Sequence, residues 1–494
     1  MIALLLILIP LLTGLGAFFF RNGNTARAWA LLASLATLAV SVLGMTLMKD
    51  EESLSFSREW LPVFNSRFSL GMDGMSQLLC LLNAFAYPLV IAATWKSPVR
   101  NPGSFFALML LAQAGMMGVF LATDALLFYF CWELALIPMY FLASQWGGEK
   151  RIPVTFKFFI YTFVGSLLML IGILYMQSVI PGHSFSLQAF IDSRLPGHTQ
   201  QWVFWLFFIA FAIKMPVFPL HTWQPDTYEQ APTPTTMILS GVMVKMGVFA
   251  MLRWLFPVFP LASFQWADFI TPLALAGAIY ASLIAIRQDD LKRLVAYSSI
   301  AHIGLMCAAS FAQNTSGFQG VMLQMFNHGI NIIGLWIVVE IIERQFGTRK
   351  ISELGGIAGK APGLTLLLVV VALANIGLPL TNSFPAEFLM FNGIFSSFTV
   401  YNVWFTVLAG LGIILGAVYT LNMIRKVFYG EANELTRQAR DISWNEKAVL
   451  GVIVLVIFVL GVYPQLMLNE TAAASGVLNE KFDFVRQTLL EQRK

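Results

Sequence analysis

The stretch FAIKMPVFPLHTW, residues 211–223, decides how this sequence is read. It continues an apolar run, yet it places Lys214, Pro216, Pro219 and His221 where oily residues are expected. Proline removes a backbone donor and clashes with the preceding turn, so a helix carrying two of them is interrupted. In a bilayer such an interruption persists only where it is buried in protein or lines a polar cavity. Pro216 and Pro219 therefore predict a broken helix that brings polar backbone beside an intramembrane lysine.

The surroundings agree. The 494 residues are 58% hydrophobic and only 11% charged, against about 25% charged in soluble domains. The fold class is all-α and polytopic. About fourteen spans are expected at 1–20, 27–48, 75–94, 104–122, 124–146, 154–180, 201–223, 231–256, 269–287, 293–312, 318–343, 363–392, 400–424 and 446–468. The first has neither a basic n-region nor a small-residue cleavage site and reads as a retained helix. Basic residues concentrate in the odd-numbered loops, from Arg21 and Arg27 through Arg349, Lys350 and Lys447. The even-numbered loops carry only Lys49, Arg58, Arg67 and Arg194. The positive-inside rule then puts both termini outside the cytoplasm. Alternation in 49–72 suggests a small outer hairpin. Residues 1–470 read as one transmembrane domain. Residues 471–494, with Leu478, Phe482, Val485 and Leu489 at helical spacing, read as an amphipathic tail on the membrane or a partner, or as a frayed polar end.

Cys80, Cys131 and Cys307 lie far apart in apolar runs, so no spacing suggests a metal site, an iron–sulfur cluster or a disulfide framework. No phosphate loop, dinucleotide fingerprint or nucleophilic grouping is present, and the net charge of +4 is scattered over loops, which gives no case for nucleic acid. No cofactor and no metal is expected in this chain.

What remains are charges inside the membrane, each disfavoured by about 2.5–3.5 kcal/mol at mid-bilayer. Glu133, Lys214, Lys245, His302, His328 and Glu387 fall within spans, too deep for easy snorkelling. A structural Glu–Lys pair is the plain alternative, and a lone buried histidine is more often a hydrogen-bonded core residue. Several titratable groups at similar depth favour a proton relay, for which histidine suits near-neutral hopping. Nearer the span ends, Lys157 and Arg253 are expected to snorkel, Asp73 and Asp124 to cap helices, and Glu340 to pair with Arg344. Asp124, Lys157 and His221 are also candidates for proton entry. A second break is expected at 376–388, IGLPLTNSFPAEF, from Gly377, Pro379 and Pro385, just before Glu387. Two broken spans in matching places predict two inverted five-helix repeats, spans 4–8 (about 104–256) and 9–13 (about 269–424), with spans 7 and 12 broken and the ion path at the midplane.

Four stretches carry a family resemblance: CWELALIPMYFL, AFAIKMPVFPLHTWQPDTYEQAPTPTTMILSGVMVKMG, DDLKRLVAYSSIAHIG and GLPLTNSFPAEFL. Over roughly residues 70–470 the chain resembles the antiporter-like subunits of respiratory NADH:quinone oxidoreductase (complex I). That family also includes subunits of Mrp-type sodium/proton antiporters and membrane-bound hydrogenases. It is most similar to the M-type (subunit 4) members, because Glu387 and Ile332 stand where L-type members have lysines and no long lateral helix follows. The resemblance implies a proton-pumping membrane-arm subunit of the bacterial inner membrane, with L- and N-type chains as neighbours. It implies that flavin mononucleotide, iron–sulfur clusters and quinone are held by other subunits. It also implies a path through Glu133, Lys214, Lys245, His302 and His328 to Glu387. An Mrp-type antiporter or hydrogenase subunit is the alternative. Departures are Gln224, Tyr228 and Pro385, where other members differ.

Overall fold

A computed structural model describes residues 1–48, 50–193 and 195–492; Lys49, Arg194 and residues 493–494 lie outside the described residues. Helix occupies every segment expected to cross the membrane. Among the described residues, ten helices are long and apolar enough to do so, and Ile2–Ala17 and Pro362–Asn375 are shorter apolar helices. Side-chain caps start several of them. Asn22, Asp73, Asp124, Asp290 and Asn314 each accept from backbone N–H groups of the first turn, and Ser443 with Glu446 forms a reciprocal box. Such caps satisfy donors that a helix end otherwise leaves open.

Burial sorts the helices. The eighth span, Thr233–Val258, is wholly buried and the eleventh, Thr315–Phe346, nearly so, whereas the second, thirteenth and fourteenth are mostly at the periphery. A helix that is apolar all round belongs inside. The two that carry Lys245 and His328 thus form the axis of the bundle. They touch closely at Gly241 and Gly329: a Cβ on Gly329 would stand 2.8 Å from the Gly241 carbonyl oxygen.

The interruptions fall where prolines and glycine place them. The seventh span runs as Gly197–Lys214, breaks over 215–222, and resumes as Trp223–Gln230. Pro216 and Pro219 both lie in the break. The twelfth runs as Pro362–Asn375 and resumes as Ser383–Phe395, with Gly377 and Pro379 between. Pro385 is not in the break. It occupies the first turn of the resumed helix, where no intrahelical partner needs its missing N–H. Each break is in the fourth helix of a five-helix group. The eighth span carries a feature the sequence did not signal, π-helical turns at Leu239–Met243 and Met251–Leu255 on either side of Lys245.

Two strands, β1 (Ser55–Leu61) and β2 (Ser66–Gly71), pair antiparallel in a hairpin. The segment expected as an amphipathic tail from 471 is part of a helix, Gln465–Gln492. The helix begins earlier and lies on this chain's own helices: Leu478, Phe482 and Val485 are buried, and Phe482 meets Phe256 and Phe318 at 5.6 and 5.9 Å.

Candidate proton-transfer site

Lys214 is the last residue of its half-helix and is buried. A cation there faces the free carbonyls and negative end of the helix dipole. Its Nζ has no hydrogen-bond partner among the described residues and stands 5.3 Å from the Trp132 ring centre. One freed carbonyl, Ile213 O, accepts from the Trp223 indole at 3.0 Å. Glu133 follows Trp132 on the fifth span; it is half-buried, its Oε1 is unpartnered, and Lys214 and Ser166 are the groups that face it. The pair makes no contact within salt-bridge distance in this state.

The second cluster is contiguous. Lys245 Nζ donates to Ser240 O at 2.6 Å and lies 2.8 Å from His328 Nδ1. The His328 and His302 rings are 5.3 Å apart between centres. His302 Nδ1 is 3.8 Å from Glu387 Oε1, and Gln324 Nε2 donates to the same oxygen at 3.4 Å. All four titratable groups are buried or nearly so. Gly377 makes room for the carboxylate: its φ is +68°, and a Cβ there would stand 2.2 Å from Glu387 Oε2. The two clusters adjoin where the eighth span crosses the seventh-span break. A Cβ on Gly247 would stand 2.7 Å from Phe211 O and 2.8 Å from the Met215 nitrogen.

The candidates for entry separate. Lys157, expected to reach toward headgroups, is paired: its Nζ donates to Thr222 O and to Asp226 Oδ2, both at 2.9 Å, beside the resumed half of the seventh span. His221 is buried in the break against Phe218 and Tyr280. Asp124 stands at the other end of the bundle. It accepts from Ser66 Oγ, Arg67 N, Leu126 N and Leu127 N at 3.0–3.1 Å, with the hairpin and the 180s loop beside it. Lys157 is near the start of the sixth span and that loop follows its end, so Asp124 and Lys157 cannot serve one mouth. Two pairings also differ from expectation. Arg253 is paired with Asp73 and Ser76, and Arg344 with Glu446, while Glu340 accepts from Ser97 at 2.8 Å.

Around Lys157 the unassigned charges of two quoted motifs meet. Arg293 bridges Asp226 and Glu229, and Arg349 reaches Glu229, Asp290 and Glu343. Uncharged residues of the site escaped the charge-based reading: Gln324, Asn327, Asn331, Asn375, Asn382, Ser298 and Tyr419. For three of them a signal was available: Gln324, Asn327 and Asn331 are amides at helical spacing inside an apolar run.

The family model described as NADH:quinone oxidoreductase/Mrp antiporter, TM, matches residues 122–422. The chain is 37% identical over 469 residues to NADH-quinone oxidoreductase subunit M of Rhodobacter capsulatus, covering 90% of this chain and 88% of that one. It is 35% identical over 491 residues to F(420)H(2) dehydrogenase subunit M of Methanosarcina mazei, covering 96% and 97%. In structure it is similar to a chain of respiratory complex I from Thermus thermophilus with bound NADH, with a TM-score of 0.90, 28% identity, and coverage of 98% and 100%.

Proposed function

Because the chain belongs to the NADH:quinone oxidoreductase/Mrp antiporter membrane family, we propose that it is a proton-pumping subunit of the membrane arm of a bacterial respiratory complex I, of the M type. The observation that carries the proposal is the succession of neighbouring buried groups Lys245, His328, His302 and Glu387, preceded by Glu133 and Lys214 at the adjoining break.

The geometry suits proton hopping. With Nδ1 of His328 accepting from Lys245, the neutral ring carries its proton on Nε2. A proton taken at Nδ1 can then leave from Nε2 toward His302, and the ring is restored by a turn or by return transfer. The 3.8 Å between His302 and Glu387 is just beyond a direct hydrogen bond, a gap that a small rotation or a water closes. Lys214 sits where its ammonium is favoured by the helix end and by the Glu133 carboxylate when that is near. Moving Glu133 away weakens its hold on the proton. A charge carried against 100 mV requires about 2.3 kcal/mol, and redox work elsewhere in the complex supplies it.

Protons enter from the cytoplasm by way of the Lys157–His221 end and leave outside near Glu387. Both chain termini lie outside the cytoplasm, and L- and N-type chains flank this one. Flavin mononucleotide, iron–sulfur clusters and quinone belong to other subunits, so this chain contributes no redox centre. Relatives with two different electron donors in their names support a membrane module separable from its electron input.

Glu133→Gln or Lys214→Ala in the assembled complex is expected to abolish most proton uptake into sealed vesicles and to slow quinone reduction. Normal pumping by both variants would overturn the path. Purified gently from membranes, the assembly is expected to contain flavin and iron–sulfur chains and to reduce quinone. Recovery of only small membrane partners, with sodium/proton exchange and no redox activity, would assign the chain to an antiporter instead.

A further inference from the structure

The break in the twelfth span sets where Glu387 sits, and one backbone carbonyl and two side chains at its end are met by side chains of the eleventh. Asn327 Nδ2 donates to the backbone oxygen of Asn382 at 2.6 Å. Asn331 Nδ2 donates to Asn382 Oδ1 and to Ser383 Oγ, both at 3.0 Å. All four residues are buried. Asn382 precedes the resumed helix and Glu387 lies in its second turn. Along the eleventh span Gln324, Asn327 with His328, and Asn331 follow one another at helical spacing, so one stripe touches the Glu387 carboxylate, Lys245 and the break itself.

We propose that Asn327 and Asn331 are positioning residues that clamp the twelfth-span break, through Asn382 and Ser383, so that Glu387 is held at His302. This rests on the proton-path reading above.

Two facts argue for a role beyond filling space. Asn327 Oδ1, Asn331 Oδ1 and Asn382 Nδ2 are buried and have no partner among the described residues. Unpaired buried polar atoms are disfavoured, so leucine would pack this seam at less expense if packing were its purpose. The clamp also bonds the break rather than a regular helix. In an apolar surround a freed carbonyl such as that of Asn382 needs a donor from a neighbouring helix. Proton transfer is steep in distance: an error near 1 Å in a reacting geometry lowers rates by about a hundredfold. With the clamp released, the helix start can shift and the 3.8 Å His302–Glu387 separation is no longer set.

The test uses the whole complex in sealed vesicles. Asn327→Leu and Asn331→Leu keep the branched outline of the side chain, at somewhat greater bulk, and remove the donors. Proton pumping is measured across pH, and NADH oxidation by an artificial acceptor reports the amount of assembled enzyme. Both variants are expected to assemble normally, to pump at least about tenfold more slowly, and to show a displaced pH profile. Asn331→Gln, which keeps a donor, is expected to recover most of the rate. Should the leucine variants fail to assemble, Asn331→Ser removes the reach without adding apolar bulk and carries the same expectations. Unchanged pumping, or a loss that only follows the amount of assembled enzyme with the pH profile intact, would overturn the clamp. Glu387→Gln, run in parallel, separates the two ideas. If it abolishes pumping while the asparagine variants pump normally, the clamp alone fails; if it pumps normally, the proton path through Glu387 fails.

Discussion

Gly377 illustrates how much of this site rests on single side chains, including an absent one. A non-glycine residue at its φ of +68° is strained by about 1–2 kcal/mol, and a Cβ would press on the Glu387 carboxylate. Gly377→Ala is expected to assemble poorly or to pump at a small fraction of the normal rate; normal pumping would show that Glu387 need not occupy the place seen here. Lys157 calls for a milder expectation. Its pair with Asp226 is partly open to solvent, where such pairs contribute about 0.2–1 kcal/mol. Lys157→Ala should slow pumping a few-fold through the position of the 223–230 helix, and Lys157→Arg should restore it. A complete loss in both would place the lysine on the path itself.

At the scale of elements, the breaks and the glycine contacts do the positioning. The seventh-span break leaves Lys214 at a helix end. The Gly241–Gly329 contact brings the eighth and eleventh spans close enough for Lys245 to reach His328 at 2.8 Å. The hairpin is an element with a different task. Asp124 joins it to the fifth span by accepting from both. Removing an N-cap side chain destabilises by about 1 kcal/mol, up to about 2. Asp124→Ala should therefore lower the melting temperature of the complex yet leave the protons moved per quinone reduced unchanged. A fall in that ratio would return Asp124 to the candidates for proton transfer, now at the exit end.

For the whole molecule, the C-terminal helix 465–492 ties separate parts of one end of the bundle. Phe482 packs between the eighth and eleventh spans, and Arg486 donates to Gln313 O and lies over the Phe398 ring. Large-to-small changes at buried aromatic sites destabilise by about 3–5 kcal/mol. Phe482→Ala is expected to reduce the amount of assembled membrane arm recovered in detergent, while the enzyme that survives pumps normally. Full recovery and stability would show that partner subunits, rather than this helix, hold that end together.

Residue chemistry and periodicity made much of this legible without coordinates. Apolar runs long enough to span, the proline and glycine interruptions, and charges too deep to snorkel are local properties of the chain. The cost of a charge or an open carbonyl in lipid gives each one meaning wherever the chain folds. Glu133, Lys214, Lys245, His302, His328 and Glu387 could be singled out on that ground. Their order of contact could not. Lys245 and His328 are separated by 82 intervening residues in sequence, and only helix packing at two glycines brings them together. A partner chosen by proximity in sequence was wrong where another group stood nearer in space: Arg344 took Glu446 over Glu340. Uncharged amides such as Asn327 and Asn331 gave no warning in isolation, because a buried asparagine acquires its role from the group it faces. The sequence by itself determined which groups are expensive to bury in a membrane. The tertiary structure decided which of them compensate one another, because that depends on distances of a few ångströms between helices remote in sequence.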